Sequence, residues 1–206
     1  MKSTNLKPYY QDVSVTIYHG DSRETVPQLG RFDLLLTDPP YGLAEKMQGG
    51  TWGKAFEGKD YDWDAIAPDV SFCVQACEKA IVWGGNYFTL PPSRCWLVWD
   101  KPEKTHTIAD CELAWCSWDA NAKMFTVSRN PDGKRQHPTQ KPVDLMRWCI
   151  TKAGLNVQTI LDPFAGSGTT GRAAKDLGKK ATLIEQNESY CEIAAKRMGQ
   201  ECFNFE

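Results

Sequence analysis

The chain has 206 residues, with 24 Lys+Arg against 26 Asp+Glu and a formal net charge of −2 at pH 7. That length carries one domain with a full core, and 41% hydrophobic with 24% charged residues excludes disorder, fibre and coiled coil. Near-neutral charge excludes a uniformly basic coat for nucleic acid and leaves room for a local basic face only.

The opening MKSTNLKPYYQD lacks the apolar run of a signal peptide. Val13–Tyr18 is β-branched and short, a strand that ends in the turn His19-Gly20-Asp21. Phe32–Thr37 is a continuous apolar run broken by Asp38-Pro39-Pro40-Tyr41, the pattern of a buried parallel strand with a loop at its carboxyl end. Residues from about 42 to 64 carry Gly, Lys, Trp and acidic side chains without periodicity and predict a mobile loop. Pro68–Lys79 predicts a helix with Val70, Val74 and Cys77 on one stripe, and Ala80–Trp83 a strand ending at Gly84-Gly85. The stretch AIVWGGNYFTL, the most apolar of the chain, is too short and Gly-broken to span a bilayer, so no membrane partner is expected.

Cys95–Trp99 and Glu112–Trp118 predict two more strands, with Met124–Val127 pairing against the second as a hairpin. Pro142–Ala153 predicts a helix, with Pro at its start, Val143, Met146, Cys149, Ile150 and Ala153 on one face, and Gly154 as its stop. Thr159–Leu161 is a strand running into Asp162-Pro163-Phe164-Ala165-Gly166-Ser167-Gly168-Thr169-Thr170. A helix to Leu177, a strand Ala181–Ile184 closed by Glu185, and a helix Glu188–Met198 complete the chain. Strands alternating with helices predict an α/β fold with a parallel sheet. Eight cysteines without a C-x-x-C pair read as reduced thiols in a cytoplasmic protein. His106, Cys111 and Cys116 lack zinc-ligand spacing, so no metal is expected.

Two segments point to chemistry. Gly-Ser-Gly after a strand permits a tight turn and close approach of a ligand, and the helix behind it offers free N–H groups. No Gly-Lys-Ser/Thr follows, so it is not a phosphate-cradling loop, and it also lacks the G-x-G-x-x-G of a dinucleotide site. Glu185 closes the next strand, where a carboxylate can take both hydroxyls of a ribose. In Asp38-Pro39-Pro40-Tyr41 both prolines lack an N–H, and Asp38 and Pro39 are pushed to extended geometry. The loop therefore presents acceptors, the Asp38 carboxylate and the Pro39 carbonyl, which suit a planar amino group, while Tyr41 offers a face for its ring.

The pairing of Asp-Pro-Pro-Tyr with a later Asp-Pro-Phe-Ala-Gly-Ser-Gly-Thr-Thr resembles the S-adenosylmethionine-dependent amino-methyltransferases of DNA. The order of the two, with His137-Pro138-Thr139-Gln140-Lys141-Pro142 just before the second, is similar to their permuted beta class. The resemblance extends over nearly the whole chain, including the Gly20-Asp21 turn, Trp99-Asp100-Lys101 and Glu185. It implies a seven-stranded, mostly parallel, Rossmann-like sheet with helices on both faces, in which the N-terminal strand fills the place beyond the Glu185 strand. It further implies that Asp162, Phe164, Gly166, Ser167 and Gly168 wall the S-adenosylmethionine site, with Glu185 on the ribose and Asp21 near the adenine amino group. Thr139 and Lys141 would lie at the methionine end, where Lys141 could oppose the carboxylate. Asp38, Pro39, Pro40 and Tyr41 would hold the target amine for a direct in-line transfer without a metal.

Asp at the first position of that loop is similar to the adenine-N6 enzymes of the family, whereas the cytosine-N4 enzymes more often carry Ser. The target base must leave the stack of double-stranded DNA to reach the loop. The family's target-recognition region falls here at about 102–136, where Arg129, Lys134 and Arg135 are expected on phosphates. Competing readings are methylation of cytosine N4, of an RNA adenine or of a protein glutamine amide, and a catalytically silent DNA-binding module. The sequence is equally consistent with a monomer and a homodimer.

Overall fold

The structure, a computed structural model, describes residues 6–43, 66–104, 109–129 and 140–200. Its frame is a nine-stranded sheet in the spatial order β1-β2-β9-β8-β3-β4-β6-β5-β7. The strands are β1 Tyr10–Gln11, β2 Val15–His19, β3 Phe32–Thr37, β4 Cys77–Trp83, β5 Trp96–Asp100, β6 Cys111–Cys116, β7 Lys123–Thr126, β8 Thr159–Asp162 and β9 Lys180–Glu185. The helices are α1 Ser22–Thr25, α2 Ser71–Gln75, α3 Val143–Ala153, α4 Thr169–Asp176 and α5 Glu188–Met198. The five pairings β2·β9, β9·β8, β8·β3, β3·β4 and β5·β7 are parallel, and only β1·β2, β4·β6 and β6·β5 are antiparallel.

Strand β3 shows why the sheet is central. Its run Leu34-Leu35-Leu36 is fully buried, because alternate side chains enter two different cores. Leu34 and Leu36 pack with Leu145, Met146, Cys149 and Ile150 of α3, Ala173 and Ala174 of α4 and Ala194 of α5. Leu35 faces the other way, toward Val26, Val70 and Cys73 beside α1 and α2. Truncating any one of these leucines to Ala would cost about 2–5 kcal/mol. Helices thus cover both faces, as the resemblance implied.

Strand β2 lies parallel to β9 with His19 opposite Glu185, so the first long strand sits beside the last one, in the permuted place expected for it. The sheet has two strands more than the seven that the resemblance implied; β7 matches the strand read at Met124–Val127, whereas the two-residue β1 was not read in the sequence. Two further expectations are corrected. The helix predicted over Pro68–Lys79 is only Ser71–Gln75, because Cys77 already pairs with Phe32 and the backbone from there onward is claimed by β3. Strand β7 does not form a hairpin with β6; it runs parallel to β5, with Leu97 opposite Lys123 and Asp100 opposite Thr126. All but residues 42 and 43 of the predicted mobile loop at about 42–64, and most of the basic turn before residue 140, lie outside the described residues.

Candidate active site

Parallel strands deliver their loops to one edge of the sheet, and here three carboxyl ends converge. At the end of β9, Glu185 is tied to both neighbouring turns. Its backbone carbonyl accepts the Gly20 N–H at 3.0 Å, and its Oε2 accepts the Gly166 N–H at 2.7 Å. Oε1 accepts the Asn187 N–H at 2.8 Å. Burial pushes the Glu185 carboxyl up, and these backbone donors work against that.

The two glycines of the turn after β8 have different reasons to be glycine. Gly166 has φ +50° and faces open space, so a ligand can approach its backbone. Gly168, the N-cap of α4 at φ +78°, faces α5; a Cβ there would lie 2.8 Å from the Ala194 Cβ. Close helix packing, then, fixes the second glycine. Ser167 is buried and donates to Gln140 Oε1 at 3.2 Å, while Arg197 reaches the same oxygen at 3.0 Å and Thr169 Oγ1 at 2.8 Å. Gln140 and Arg197, not singled out in the sequence, brace the turn from below. Phe164 packs into the apolar cluster of Leu161 and Ile184. Asp21 caps α1 by accepting the Arg23 N–H at 2.8 Å and pairs with the Arg23 guanidinium at 2.5 Å.

Asp162 turns inward. Its carboxylate accepts Thr37 Oγ1 at 2.8 Å, Thr170 Oγ1 at 2.5 Å and the Phe164 N–H at 3.2 Å. Desolvation in this buried position raises its pKa to about 6 despite the three donors. Thr37 is the last residue of β3, immediately before Asp38. One hydrogen bond therefore links the Gly-rich turn to the Asp38 loop, on strands that are neighbours in the sheet.

Asp38 lies between two donors. Tyr41 Oη donates to Oδ1 at 2.5 Å, and Lys141 Nζ meets Oδ2 at 2.5 Å. The Tyr41 ring is stacked on Tyr87, with centroids 4.9 Å apart and planes at 17°, and Phe88 abuts it edge-on. Gly84 lies under the same ring: a Cβ there would fall 2.2 Å from Tyr41 Cε1, and its φ of +66° independently favours glycine. Burial and the nearby Asp38 raise the Tyr41 phenol well above its ordinary value, so it remains a donor. Pro39 is buried and Pro40 half-buried.

The Lys141 ammonium, expected at the methionine end of the cofactor, is committed in this structure to two carboxylates, Asp38 and Glu112 Oε2 at 2.9 Å. Glu112, on β6, also pairs with Lys101 at 2.6 Å. Burial opposes the charges of Asp38, Glu112 and Lys141. Glu112, with two ammonium partners, is nonetheless held down at about 2, and the carboxylates keep Lys141 above its ordinary value. Asp38 has only a share in one ammonium, and burial moves it upward. Sequence reasoning noted Lys101 within Trp99-Asp100-Lys101 but assigned it no role, and it missed Glu112, since no local spacing joins β6 to the start of α3.

Of the basic residues expected on DNA, Arg129 has its guanidinium 3.8 Å from Glu103 and is mostly shielded, with 18% of its side chain exposed. Lys134, Arg135 and Thr139 lie outside the described residues.

Comparison with known proteins agrees with this architecture. The type II methyltransferase M.HinfI of Haemophilus influenzae is 26% identical over 255 aligned positions, spanning 94% of this chain and 70% of that protein. M2.LlaDCHI of Lactococcus lactis subsp. cremoris is 25% identical, spanning 94% of this chain and 93% of its own. Among solved structures, the PvuII DNA methyltransferase (cytosine-N4-specific) superposes with a TM-score of 0.65 at 17% identity, over 98% of this chain and 92% of that one. The M1.HpyAVI–SAM complex gives 0.58 at 21% identity, over 90% of this chain and all of that one. These structures share the fold. A family model described as DNA methylase matches residues 82–196, more than half of the sequence, and the chain belongs to this N6/N4 DNA methylase family.

Proposed function

We propose that this DNA methylase transfers the methyl group of S-adenosylmethionine to the N6 amino group of adenine in double-stranded DNA, acting as one methyltransferase unit in the cytoplasm. The observation that carries the reading is the juxtaposition at the ends of β3 and β8: an acceptor loop and an open Gly-rich turn joined by the Thr37–Asp162 hydrogen bond. The residues fit the methyl donor. Gly166 presents backbone toward open space, and the Glu185 carboxylate stands at its side, ready to take ribose hydroxyls on its remaining lone pairs. Ser167, Phe164 and Asp162 hold that turn in shape, and Asp21 stands on the adjoining Gly20 turn. Thr139 is proposed at the methionine end, with Lys141 beside it but its ammonium held by Asp38 and Glu112. Bound S-adenosylmethionine supplies a sulfonium methyl, an electrophile that needs no further activation.

The chain's own task is to prepare the amine. An exocyclic amino nitrogen is a poor nucleophile because its lone pair is delocalised into the ring. The Asp38 carboxylate and the Pro39 carbonyl accept its two N–H bonds, which favours the tetrahedral nitrogen of the transition state over the planar ground state. The proton that the methylated nitrogen must shed passes to the Asp38 carboxylate and on to solvent. Tyr41 orients Asp38 through its hydroxyl; Tyr87 takes one face of its ring and Gly84 rests against it, so stacking of the target base is proposed only on the part of the ring those two leave. The backbone at Pro39 and Pro40 has no competing donor. A flipped base enters this loop, with phosphates expected on Arg129, Lys134 and Arg135.

The base assignment rests on Asp at position 38, the residue of the adenine-N6 enzymes this loop resembles. Mass spectrometry of nucleosides from duplex DNA treated with the protein and S-adenosylmethionine tests it, with N6-methyladenine expected. N4-methylcytosine would overturn the base and leave the acceptor mechanism intact. Label in RNA or protein, with none in DNA, would overturn the substrate.

A further inference from the structure

From the acceptor Asp38 the structure continues into a line of alternating charge whose far members, Glu112 and Lys101, have no part in the transfer reaction as described. It runs from Asp38 through Lys141 and Glu112 to Lys101, with contacts of 2.5, 2.9 and 2.6 Å. Lys141 is 5% and Lys101 3% exposed, so neither ammonium has water to replace a lost partner. The four charges cancel. Indole rings close the space around them: Lys141 Nζ lies 5.6 Å from the Trp83 ring centroid and 5.9 Å from that of Trp99, and Lys101 Nζ lies 5.0 Å from Trp99. Burying two ammonium ions against two carboxylates that keep only 20% and 25% of their side chains exposed is expensive, and well-packed apolar residues usually stabilise a fold as well or better. Such a line is therefore better explained by what it positions than by stability.

We propose that Glu112 is a positioning residue for methyl transfer, holding the Lys141 ammonium where it orients the Asp38 carboxylate toward the amine. Glu112 does not touch the reacting atoms. It is seated rigidly, because β6 is paired on both sides, Glu112 opposite Trp99 of β5 and Ala114 opposite Trp83 of β4. The neighbouring Leu113 carbonyl accepts the Gly84 N–H at 2.8 Å, and Gly84 carries the Tyr41 ring. One strand thus sets both supports of Asp38: Lys141 on Oδ2 and, through Gly84, Tyr41 on Oδ1. Lys101 neutralises the second oxygen of Glu112 and stops that carboxylate from rotating away from Lys141. Without Glu112, Lys141 would keep its contact with Asp38 but lose its own anchor, and the pair could swing together.

This inference rests on the acceptor role proposed for Asp38, and the experiment separates the two. Single-turnover transfer from methyl-labelled S-adenosylmethionine to unmethylated genomic DNA is measured for Glu112→Gln, Asp38→Asn, their double variant and Asp38→Ala. Glu112→Gln should lower the rate constant about 10- to 100-fold while the KM values for DNA and S-adenosylmethionine stay within about twofold. In the Asp38→Asn background the same change should have little further effect, since Lys141 then has no carboxylate left to orient. Lys101→Met combined with Glu112→Gln restores charge balance, keeps the protein folded should the single variant fail, and should remain as slow as Glu112→Gln. A rate within threefold of wild type, an undiminished loss in the Asp38→Asn background, or recovery in the charge-balanced variant would each overturn the proposal. Wild-type rates for Asp38→Ala, which removes the side-chain acceptor altogether, would instead overturn the acceptor reading.

Discussion

Glu185 accepts the backbone N–H of Gly166 at 2.7 Å, which makes the end of β9 and the turn after β8 a single rigid edge. The carboxylate therefore has two proposed duties, bracing the turn and binding the ribose. Replacing it with Ala should weaken S-adenosylmethionine binding by roughly 1.5–3 kcal/mol, about 10- to 150-fold in Kd, the usual worth of charged hydrogen bonds. Calorimetry on a folded Glu185→Ala variant checks this. A lower melting temperature with unchanged affinity would leave the brace and remove the ribose contact.

The buried Asp162 makes a prediction about stability and pH. Its folded pKa, about 6, lies above the ordinary 3.8, so between those values the folded state holds a proton that the unfolded state has lost. Stability from this group accordingly rises as pH falls from about 7 to about 4, and ionisation costs the fold up to about 3 kcal/mol at higher pH. Asp162→Asn keeps the size and an acceptor for Thr37, and Thr170 can turn its hydroxyl to accept. The variant should be more stable than wild type at pH 8 in urea unfolding, by about 1–3 kcal/mol, with the gap closing by pH 4. Lower stability than wild type at pH 8 would mean that the three donors outweigh the desolvation of the anion.

Much of this site was legible in the chain. Asp38-Pro39-Pro40-Tyr41 could be read as a loop without donors at Pro39 and Pro40, because proline lacks an N–H whatever surrounds it, and β3 was readable because a strand covered on both faces needs no alternation. What escaped was decided by contacts distant in sequence. Val70, Val74 and Cys77 have helical spacing, yet Cys77 belongs to β4, since pairing with Phe32 outweighs a short amphipathic stripe. Strand β7 was expected beside β6, its predecessor in the chain, but the free edge available to it was that of β5. Gly168 read as a ligand approach, and its need for glycine also comes from α5, since a Cβ there would meet Ala194. Glu112 and Lys141 are separated by a stretch with no periodic link, so their ion pair could be seen only after folding.

Gly84 supplies a test of how tightly Tyr41 must be held. An alanine there puts a methyl group inside the Tyr41 ring and adds the strain of a positive φ, a cost of at least about 1 kcal/mol. The ring cannot stay where it is. Gly84→Ala should therefore slow methyl transfer at least tenfold, as much as Tyr41→Ala, while S-adenosylmethionine affinity changes little. Single-turnover kinetics beside calorimetric titration decide the matter. A full rate in the Gly84→Ala protein would show that the stacked position of Tyr41 is dispensable.

The last prediction concerns the DNA face, where the three proposed cations should not contribute equally. Each phosphate contact that releases a counterion adds about one unit to the slope of log affinity against log salt. Arg129 starts with a disadvantage: Glu103 lies 3.8 Å from its guanidinium and also accepts its backbone N–H, so part of its charge is already neutralised. To reach a phosphate it would have to leave that carboxylate or share it. Arg129→Ala is therefore expected to lower the salt slope by much less than one unit, whereas Lys134→Ala combined with Arg135→Ala should lower it by about two. Adding Glu103→Gln to an otherwise native chain should free Arg129 and steepen the slope. Binding isotherms on duplex DNA across a salt series measure all three variants. Equal losses from Arg129 and from the Lys134/Arg135 pair would show that Glu103 yields its partner to DNA. An unchanged slope in every variant would move the phosphate contacts away from the segment before α3.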